Sequence, residues 1–229
     1  GGRPRFIGIF HRGKLVAQGF RNVRIWGRGV DTERFNPSWR SESERTRFGP
    51  TDALHLLYVG RLTPEKDLHV LFEAYRRVVT GVPDQRVRLI LAGDGAYTSR
   101  ARAQAPPGVE FLGYLEGDAL ARAYASADVF VFPSRTETLG NVVLEAQASG
   151  LPVIGAAEGG ALENVRDGVN GLLCPPGDSA AFAHAIAQWV ERPTRRMELS
   201  RRARAWAEER TWDVAFAQLL EGYREALAH

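Results

Sequence analysis

The chain has 229 residues, 44% of them hydrophobic and 25% charged; its single cysteine, Cys174, excludes an internal disulfide framework and a cysteine-based metal cluster. Its formal charge of +3 is unevenly placed: residues 1–50 carry eleven Lys and Arg against four Asp and Glu, whereas residues 51–229 carry nineteen against twenty-three. A nucleic-acid-binding domain puts its cations on the folded body with stacking aromatics nearby, so this balance excludes that class.

In chain order, residues 1–50 hold a short amphipathic stretch (Lys14–Phe20), a strand-like run (Val23–Trp26) and then Gly27-Arg28-Gly29-Val30-Asp31. Arg40–Pro50 is polar with little periodicity and reads as an exposed linker. Leu54–Val59 is a strand bounded by Gly60, and Asp67–Val79 has Leu68, Leu71, Phe72, Tyr75 and Val78–Val79 at helical spacing. Val87–Ala92 is a second strand, closed by Gly93-Asp94-Gly95. Val109–Leu112 is a third strand and Ala119–Ser126 a helix. Asp128–Phe132 is a fourth strand, Asn141–Ser149 a helix, and Pro152–Ile154 a short strand. Leu162–Arg166 is a short helix, Gly171–Cys174 a last strand, and Ala180–Val190 a helix. Residues 193–229 read as all-helical, with Trp206, Trp212, Phe216, Leu219, Leu220 and Tyr223 as the packing face.

Strands alternating with helices predict a parallel sheet covered on both faces, a Rossmann-like doubly wound α/β domain. The expected division is an N-terminal segment over 1–50, the ligand-binding domain over 51–190 and C-terminal helices over 191–229. No apolar run approaches the roughly 18–20 residues of a membrane-spanning helix, and nothing at the start reads as a secretory signal. The expectation is a cytoplasmic protein whose basic N-terminal segment faces an anionic membrane surface or a partner domain. A start at Gly1-Gly2 without a Met fits a processed product or a fragment.

Open α/β sheets bind ligands beyond the carboxyl ends of their strands, so the loops there carry the function. After Leu54–Val59 comes Gly60-Arg61-Leu62-Thr63-Pro64-Glu65-Lys66-Asp67. Thr63 and Pro64 read as cap and first residue of a helix. Lys66 then stands where a capping box has Glu or Gln, at the positive end of the helix dipole. Either it is a solvated surface lysine, or it joins Arg61 around an anion such as a diphosphate. After Asp128–Phe132, Glu137 precedes Gly140 and Asn141 at a helix start, and Glu145 follows among apolar residues. A carboxylate there is costly without partners, so Glu145 is paired within the protein or reaches into the ligand crevice.

Glu137 and Glu145 together resemble the E-x7-E motif of retaining, GT-B-type, nucleotide-sugar-dependent glycosyltransferases of the group 1 family. Other segments match that family in order: Gly60-Arg61-Leu62 with Glu65-Lys66, Leu91-Ala92-Gly93-Asp94-Gly95, Phe111-Leu112-Gly113-Tyr114, Ala148-Ser149-Gly150-Leu151-Pro152-Val153, and Asp167-Gly168 with Asn170-Gly171-Leu172-Leu173. The resemblance spans about residues 15–229, and the combination is specific although each piece is short. Trp26-Gly27-Arg28-Gly29-Val30-Asp31 with Thr138-Leu139-Gly140-Asn141 is most similar to members that glycosylate lipids, often from GDP-mannose or a UDP-hexose.

The resemblance implies that Arg61 and Lys66 hold the donor diphosphate in place of a metal ion, so that no metal or cofactor is expected. It implies that Glu145 accepts from the ribose hydroxyls and Glu137 contacts the transferred hexose. Thr138, Leu139, Gly140 and Asn141 would approach sugar and phosphate at the helix start, and Gly60 would border the same site. The base would meet backbone near Leu112, with Gly93 leaving room, and the product would keep its anomeric configuration. Family members run to two such domains, and this chain supplies the C-terminal, donor-binding one. The acceptor domain, with its glycine-rich loop and histidine, would come in cis or trans. None of the five histidines stands where that residue belongs.

The alternative class is a non-catalytic nucleotide-binding or interaction module without an acceptor domain. A nucleotide-sugar 2-epimerase lacks the Arg61/Lys66 and Glu137/Glu145 arrangement. A phosphorylase needs a cofactor-bearing lysine, and only Lys14 and Lys66 are present. A dehydrogenase is disfavoured because no G-x-G-x-x-G follows the first strand.

Overall fold

The computed structural model describes residues 5–7, 16–19, 23–25, 27–81, 86–136 and 140–227. Of the predicted stretches Lys14–Phe20 and Val23–Trp26, Lys14, Leu15, Phe20 and Trp26 lie outside them. Two short strands, β1 (Arg5–Ile7) and β2 (Val23–Ile25), pair in parallel as a separate sheet.

The six apolar runs form one parallel sheet from β3 (Leu54–Val59), β4 (Val87–Ala92), β5 (Val109–Gly113), β6 (Val129–Phe132), β7 (Val153–Ala156) and β8 (Gly171–Cys174). Their order across the sheet is β5-β4-β3-β6-β7-β8. Every residue of β3, β6 and β7 is buried, which is why these strands are apolar throughout except at His55. Register follows the same burial: Leu54–Val59 lies alongside Val87–Ala92 residue for residue, and Leu56 and Leu57 face Val129 and Phe130. Strands added after β3 extend the sheet one way and those after β6 the other. The loops leaving β3 and β6 therefore part from each other and open a crevice, the arrangement of a Rossmann-like fold.

Helices cover both faces. The described helices of the body are α1 (Glu42–Phe48), α2 (Leu68–Gly81), α3 (Thr98–Gln104), α4 (Gly117–Ser126), α5 (Asn141–Ala148), α6 (Gly159–Asn164) and α7 (Ser179–Glu191). Two more, α8 (Pro193–Glu208) and α9 (Trp212–Leu227), follow at the C-terminal end. The predicted stripe of α2 is buried except at Val79, which is half-buried, and the Tyr75 hydroxyl at its centre donates to the carbonyls of Val87 and Gly108. Asp178 caps α7 by accepting from the amides of Ala180 and Ala181. The core runs through Tyr58, Phe130 and Phe132, whose rings stack 5.8–6.2 Å apart, and extends to Phe182 and Trp189.

Three expectations change. Arg40–Pro50 is no exposed linker: it contains α1, whose Arg45 and Phe48 are buried. One of the two inward residues is a cation, so no apolar period announced the helix. The Phe48 ring meets His55 edge-on at 5.6 Å. Secondly, the helix expected to start at Thr63-Pro64 is interrupted. Pro64–Lys66 is a single 3-10 turn, Asp67 then takes a left-handed φ of 53°, and α2 starts only at Leu68.

Thirdly, the predicted C-terminal packing face is largely on the surface. Phe216, Leu220 and Tyr223 are each about half exposed. Trp206 instead takes the guanidiniums of Arg166 and Arg210 over its ring, 4.5 and 3.3 Å from its centre. Trp212 is half-buried against Gly29, where a Cβ would come within 2.4 Å of the Trp212 Cα; only glycine lets the two backbones meet. There Val30 also bridges to Thr211 and donates to the Arg210 carbonyl, which ties residues 29–30 to the C-terminal helices. Among the described residues no helix is long and apolar enough to cross a membrane.

Candidate functional site

A cleft of about 420 Å³ opens where the loops after β3 and β6 part. Gly60 and Arg61 from the end of β3, Gly93 and Asp94 from the end of β4, and Glu145 from α5 all line it. Because β3 and β4 keep register up to Val59 and Ala92, Gly60 and Gly93 are brought side by side at the strand ends. The Gly60 amide donates to the Ala92 carbonyl at 3.1 Å, and the Gly93 amide to that of Gly113 at 2.7 Å. Gly93 has φ of +144°, and a Cβ there would lie 2.0 Å from the Gly60 carbonyl oxygen. The cleft floor is therefore bare backbone by steric necessity, which lets a ligand approach it closely.

Arg61 is exposed on the cleft wall, while the Tyr58 hydroxyl donates to its carbonyl at 3.2 Å. Lys66 is not the solvated surface lysine of the bland reading: it is buried at the end of the 3-10 turn, in the same loop as Arg61 but off the cleft lining. Two contacts stitch this loop to the one after β6. The Arg135 Nε donates to the buried Asp67 carboxylate at 2.7 Å, and the Thr136 hydroxyl donates to the Glu65 carbonyl at 3.3 Å. The carboxylate beside it holds the Arg135 guanidinium charged more firmly than usual. Glu137, Thr138 and Leu139 come next and lie outside the described residues.

Both readings left open for Glu145 hold at once. The Tyr124 hydroxyl donates to its Oε2 at 3.0 Å, and the residue borders the cleft. Burial pushes the Glu145 carboxyl above its ordinary pKa, opposed by the Tyr124 hydrogen bond and the charge of Arg34. Gly140 starts α5 with a left-handed φ of +63°, and a Cβ would meet the Gly160 carbonyl oxygen at 2.7 Å. Its glycine is thus explained by the close approach of α6, and it is buried there. Asn141 is exposed on the first turn of α5.

Leu112 is half-buried in β5, and the cleft wall on that side is instead built by Tyr114, Leu115, Glu116 and Gly117 beyond the strand end. Arg34 and Phe35 complete the opposite side, and sequence reasoning missed both. The available signal was Asp31, whose Oδ1 accepts from the amides of Glu33 and Arg34 and so turns the chain toward the cleft. His55 is buried in β3, His69 is exposed, and His184 bonds Gln188; His11 and His229 lie outside the described residues. Burial pushes the Cys174 thiol up to about 12, which leaves it protonated and unreactive at neutral pH.

A guanidinium, a floor of bare backbone and a half-buried carboxylate around one cleft suit a ligand with an anionic part and a part rich in hydroxyls. Comparison with known proteins agrees. Residues 53–192 match the family model of the group 1 glycosyl transferases. Over 216 residues the chain is 35% identical to a GDP-mannose-dependent alpha-mannosyltransferase of Corynebacterium glutamicum, covering 94% of this chain and 50% of that protein. It is 40% identical over 218 residues to the enzyme of the same description from Mycobacterium tuberculosis, covering 93% and 53%. Among solved structures, Anabaena HepE in complex with UDP superposes with a TM-score of 0.81 at 26% identity, covering 93% of this chain and 61% of that one. The chain thus spans about half the length of the relatives it matches.

Proposed function

The chain belongs to the group 1 glycosyl transferases, and we propose that it is the donor-binding half of a retaining hexosyltransferase. The donor is a nucleoside diphosphate sugar, GDP-mannose or a UDP-hexose, and the acceptor a lipid or glycan. The observation that carries this reading is the convergence of Arg61 and Glu145, 84 residues apart in sequence, on one cleft at the switch between β3 and β6. The relatives named for GDP-mannose and the HepE complex with UDP support the donor class.

In this reading the diphosphate lies over Gly60 and Gly93, where no side chain intrudes. Arg61 and Lys66 stabilise the negative charge that gathers on the departing nucleotide, the task a metal ion performs elsewhere. Fixed cations do this without reorganising as the bond breaks. Glu145 takes the ribose diol: one of its oxygens already accepts from Tyr124, which fixes the carboxylate's orientation. Glu137 contacts the hexose, and Thr138, Leu139, Gly140 and Asn141 border sugar and phosphate. The base lies toward Leu112 and the Tyr114–Gly117 wall.

The acceptor site belongs to a second domain, supplied in cis or trans, so this chain binds nucleotide but transfers sugar very slowly or not at all. The apolar side chains of α9 left on the surface suit contact with such a domain. The basic N-terminal segment suits an anionic membrane surface near a lipid acceptor.

Calorimetric titration with UDP, GDP and ADP, then with their sugars, tests the proposal. One nucleotide series should bind, Arg61→Ala with Lys66→Ala should abolish that binding, and Glu145→Ala should weaken nucleosides and nucleotide sugars alike. Glu137→Ala should weaken only the sugar-bearing ligand. Undiminished nucleotide binding by the double cation variant would overturn the diphosphate assignment. Rapid sugar transfer by the purified chain alone would overturn the missing acceptor half.

A further inference from the structure

At the other end of the sheet lies a second cavity, of about 540 Å³, beneath the first residues of β4, β3 and β6. Six residues of strand, roughly 20 Å, separate it from the cleft. Four guanidiniums line it, those of Arg40, Arg45, Arg86 and Arg196, against two carboxylates, Asp52 and Asp128. The excess of positive charge comes from Arg40 and Arg45, which the basic residues 1–50 contribute; Arg86 and Arg196 are balanced in number by Asp52 and Asp128.

The four arginines are not equivalent. Arg45 is buried and fully engaged: it donates to the carbonyls of Ser126, Thr51 and Ala53 and to both oxygens of Asp128. Arg40 donates to the carbonyls of Ala125 and Ala127 and to Asp128 Oδ1. The Asp128 carboxylate also accepts from the His55 amide at 2.9 Å, so it has little capacity left. Burial works to raise its pKa, and the His55 amide with the two arginines overcomes this and holds it below the usual range. These two arginines serve the fold, clamping α1 and the chain before it to the start of β6.

Arg86 and Arg196 stand differently. Neither makes an ion pair among the described residues; Arg86 is exposed at the mouth, and Arg196 is half-buried with one donor to the Trp189 carbonyl at 2.9 Å. Burial makes the Arg196 charge costlier than usual; Asp128 opposes this, and Arg40 and Arg45 add to it. An arginine does not shed its proton to escape such a site, so the cost persists unless an anion arrives. Guanidiniums without an ion-pair partner among the described residues, backed by fixed positive charge in a partly enclosed space, are the recognition chemistry of phosphate.

We propose that this cavity is a binding site for a phosphate-class oxyanion, distinct from the donor cleft, with Arg86 and Arg196 as direct donors and Arg40 and Arg45 as its fixed cationic wall. The anion is either a soluble phosphate compound or the headgroup of an anionic lipid.

The probe is pyrophosphate, titrated calorimetrically into the Arg61→Ala chain so that the donor cleft contributes less. Pyrophosphate should still bind. Adding Arg86→Gln and Arg196→Gln should weaken it at least ~tenfold, the lower bound for losing one charged hydrogen bond. The amide resonances of Leu54 and Arg86 should shift on titration in the first protein and stay still in the second. A parallel pair, Arg86→Lys with Arg196→Lys, keeps the charge and should retain more of the binding than the glutamine pair. If the glutamine pair does not fold, this pair is read against the parent and should lose affinity several-fold. Sedimentation with vesicles of phosphatidic acid, against phosphatidylcholine alone, separates the two sources. Arginine-dependent pelleting assigns a lipid headgroup, and pyrophosphate binding without pelleting assigns a soluble anion. Unchanged pyrophosphate affinity in the variants overturns the proposal, as does the absence of both pyrophosphate binding and pelleting in the Arg61→Ala chain.

Discussion

His55 lets the electrostatics beside α1 be tested without any ligand. It is fully buried, and its Nε2 lies 3.0 Å from the Pro50 carbonyl oxygen. A carbonyl only accepts, so Nε2 carries the hydrogen of the neutral ring and a second proton must go to Nδ1. Nδ1 is buried without a hydrogen-bond partner among the described residues. Burial first, then the charge of Arg45, lowers the His55 pKa from 6.5 to about 4, against the opposing pull of Asp128. The unfolded chain therefore takes up this proton near pH 6.5, whereas the folded chain refuses it until about pH 4. Stability from this group is complete above the higher value and is lost as pH falls through the window between them. At 1.36 kcal/mol per pH unit the loss is about 3 kcal/mol, a large share of the 5–15 kcal/mol that holds a typical domain together. His55→Gln keeps an N–H for Pro50 and cannot titrate. Urea unfolding followed by circular dichroism at pH 7, 6, 5 and 4 should show the native chain losing about 3 kcal/mol more than the variant. Groups common to both proteins cancel in the difference. Parallel curves for the two, or a His55 resonance that titrates near 6.5 in the folded protein, would refute the reasoning.

Gly93→Ala would drive a Cβ into the Gly60 carbonyl 2.0 Å away, at a φ few side chains adopt; it should destabilise the chain by about 3 kcal/mol or more by chemical denaturation. Phe48→Ala removes a buried ring from α1. A loss of ~3–5 kcal/mol in the same assay is expected, where a linker residue would change almost nothing. Tyr124→Phe deletes the hydrogen bond that holds the Glu145 carboxyl down against burial, so that carboxyl should titrate at higher pH than in the native chain. Nucleotide affinity measured from pH 5 to 8 should then fall off at a higher pH in the variant, and superimposable profiles would count against Glu145 as the ribose acceptor.

Much of this molecule is local in origin, and that part is legible along the chain. The runs at Leu54–Val59, Val87–Ala92 and Val129–Phe132 are strands because a sheet covered on both faces selects mostly apolar side chains, with His55 and Arg88 as exceptions. Gly93 and Gly140 mark turns that side chains could enter only by clashing with backbone. Where pattern was absent, reading failed. The inward-facing positions of α1 include a charged residue, Arg45, whose burial is possible only because three carbonyls and a carboxylate 83 positions away receive it. Phe216, Leu220 and Tyr223 have the spacing of a packing face, yet the described residues leave them on the surface. Periodicity says that a face is apolar without saying what meets it.

Sequence alone thus determined the six strands of the main sheet, most of the helices and the parallel sheet itself, because each follows from residues close together in the chain. Tertiary structure alone decided which of those residues share a space. It put Arg61 and Glu145 on one cleft, buried Lys66 off the lining, and added Arg34 and Phe35 to it. At the far end it gathered four arginines from separate segments around one cavity. Such groupings depend on strand order and on contacts between distant segments, which leave no local signature to read.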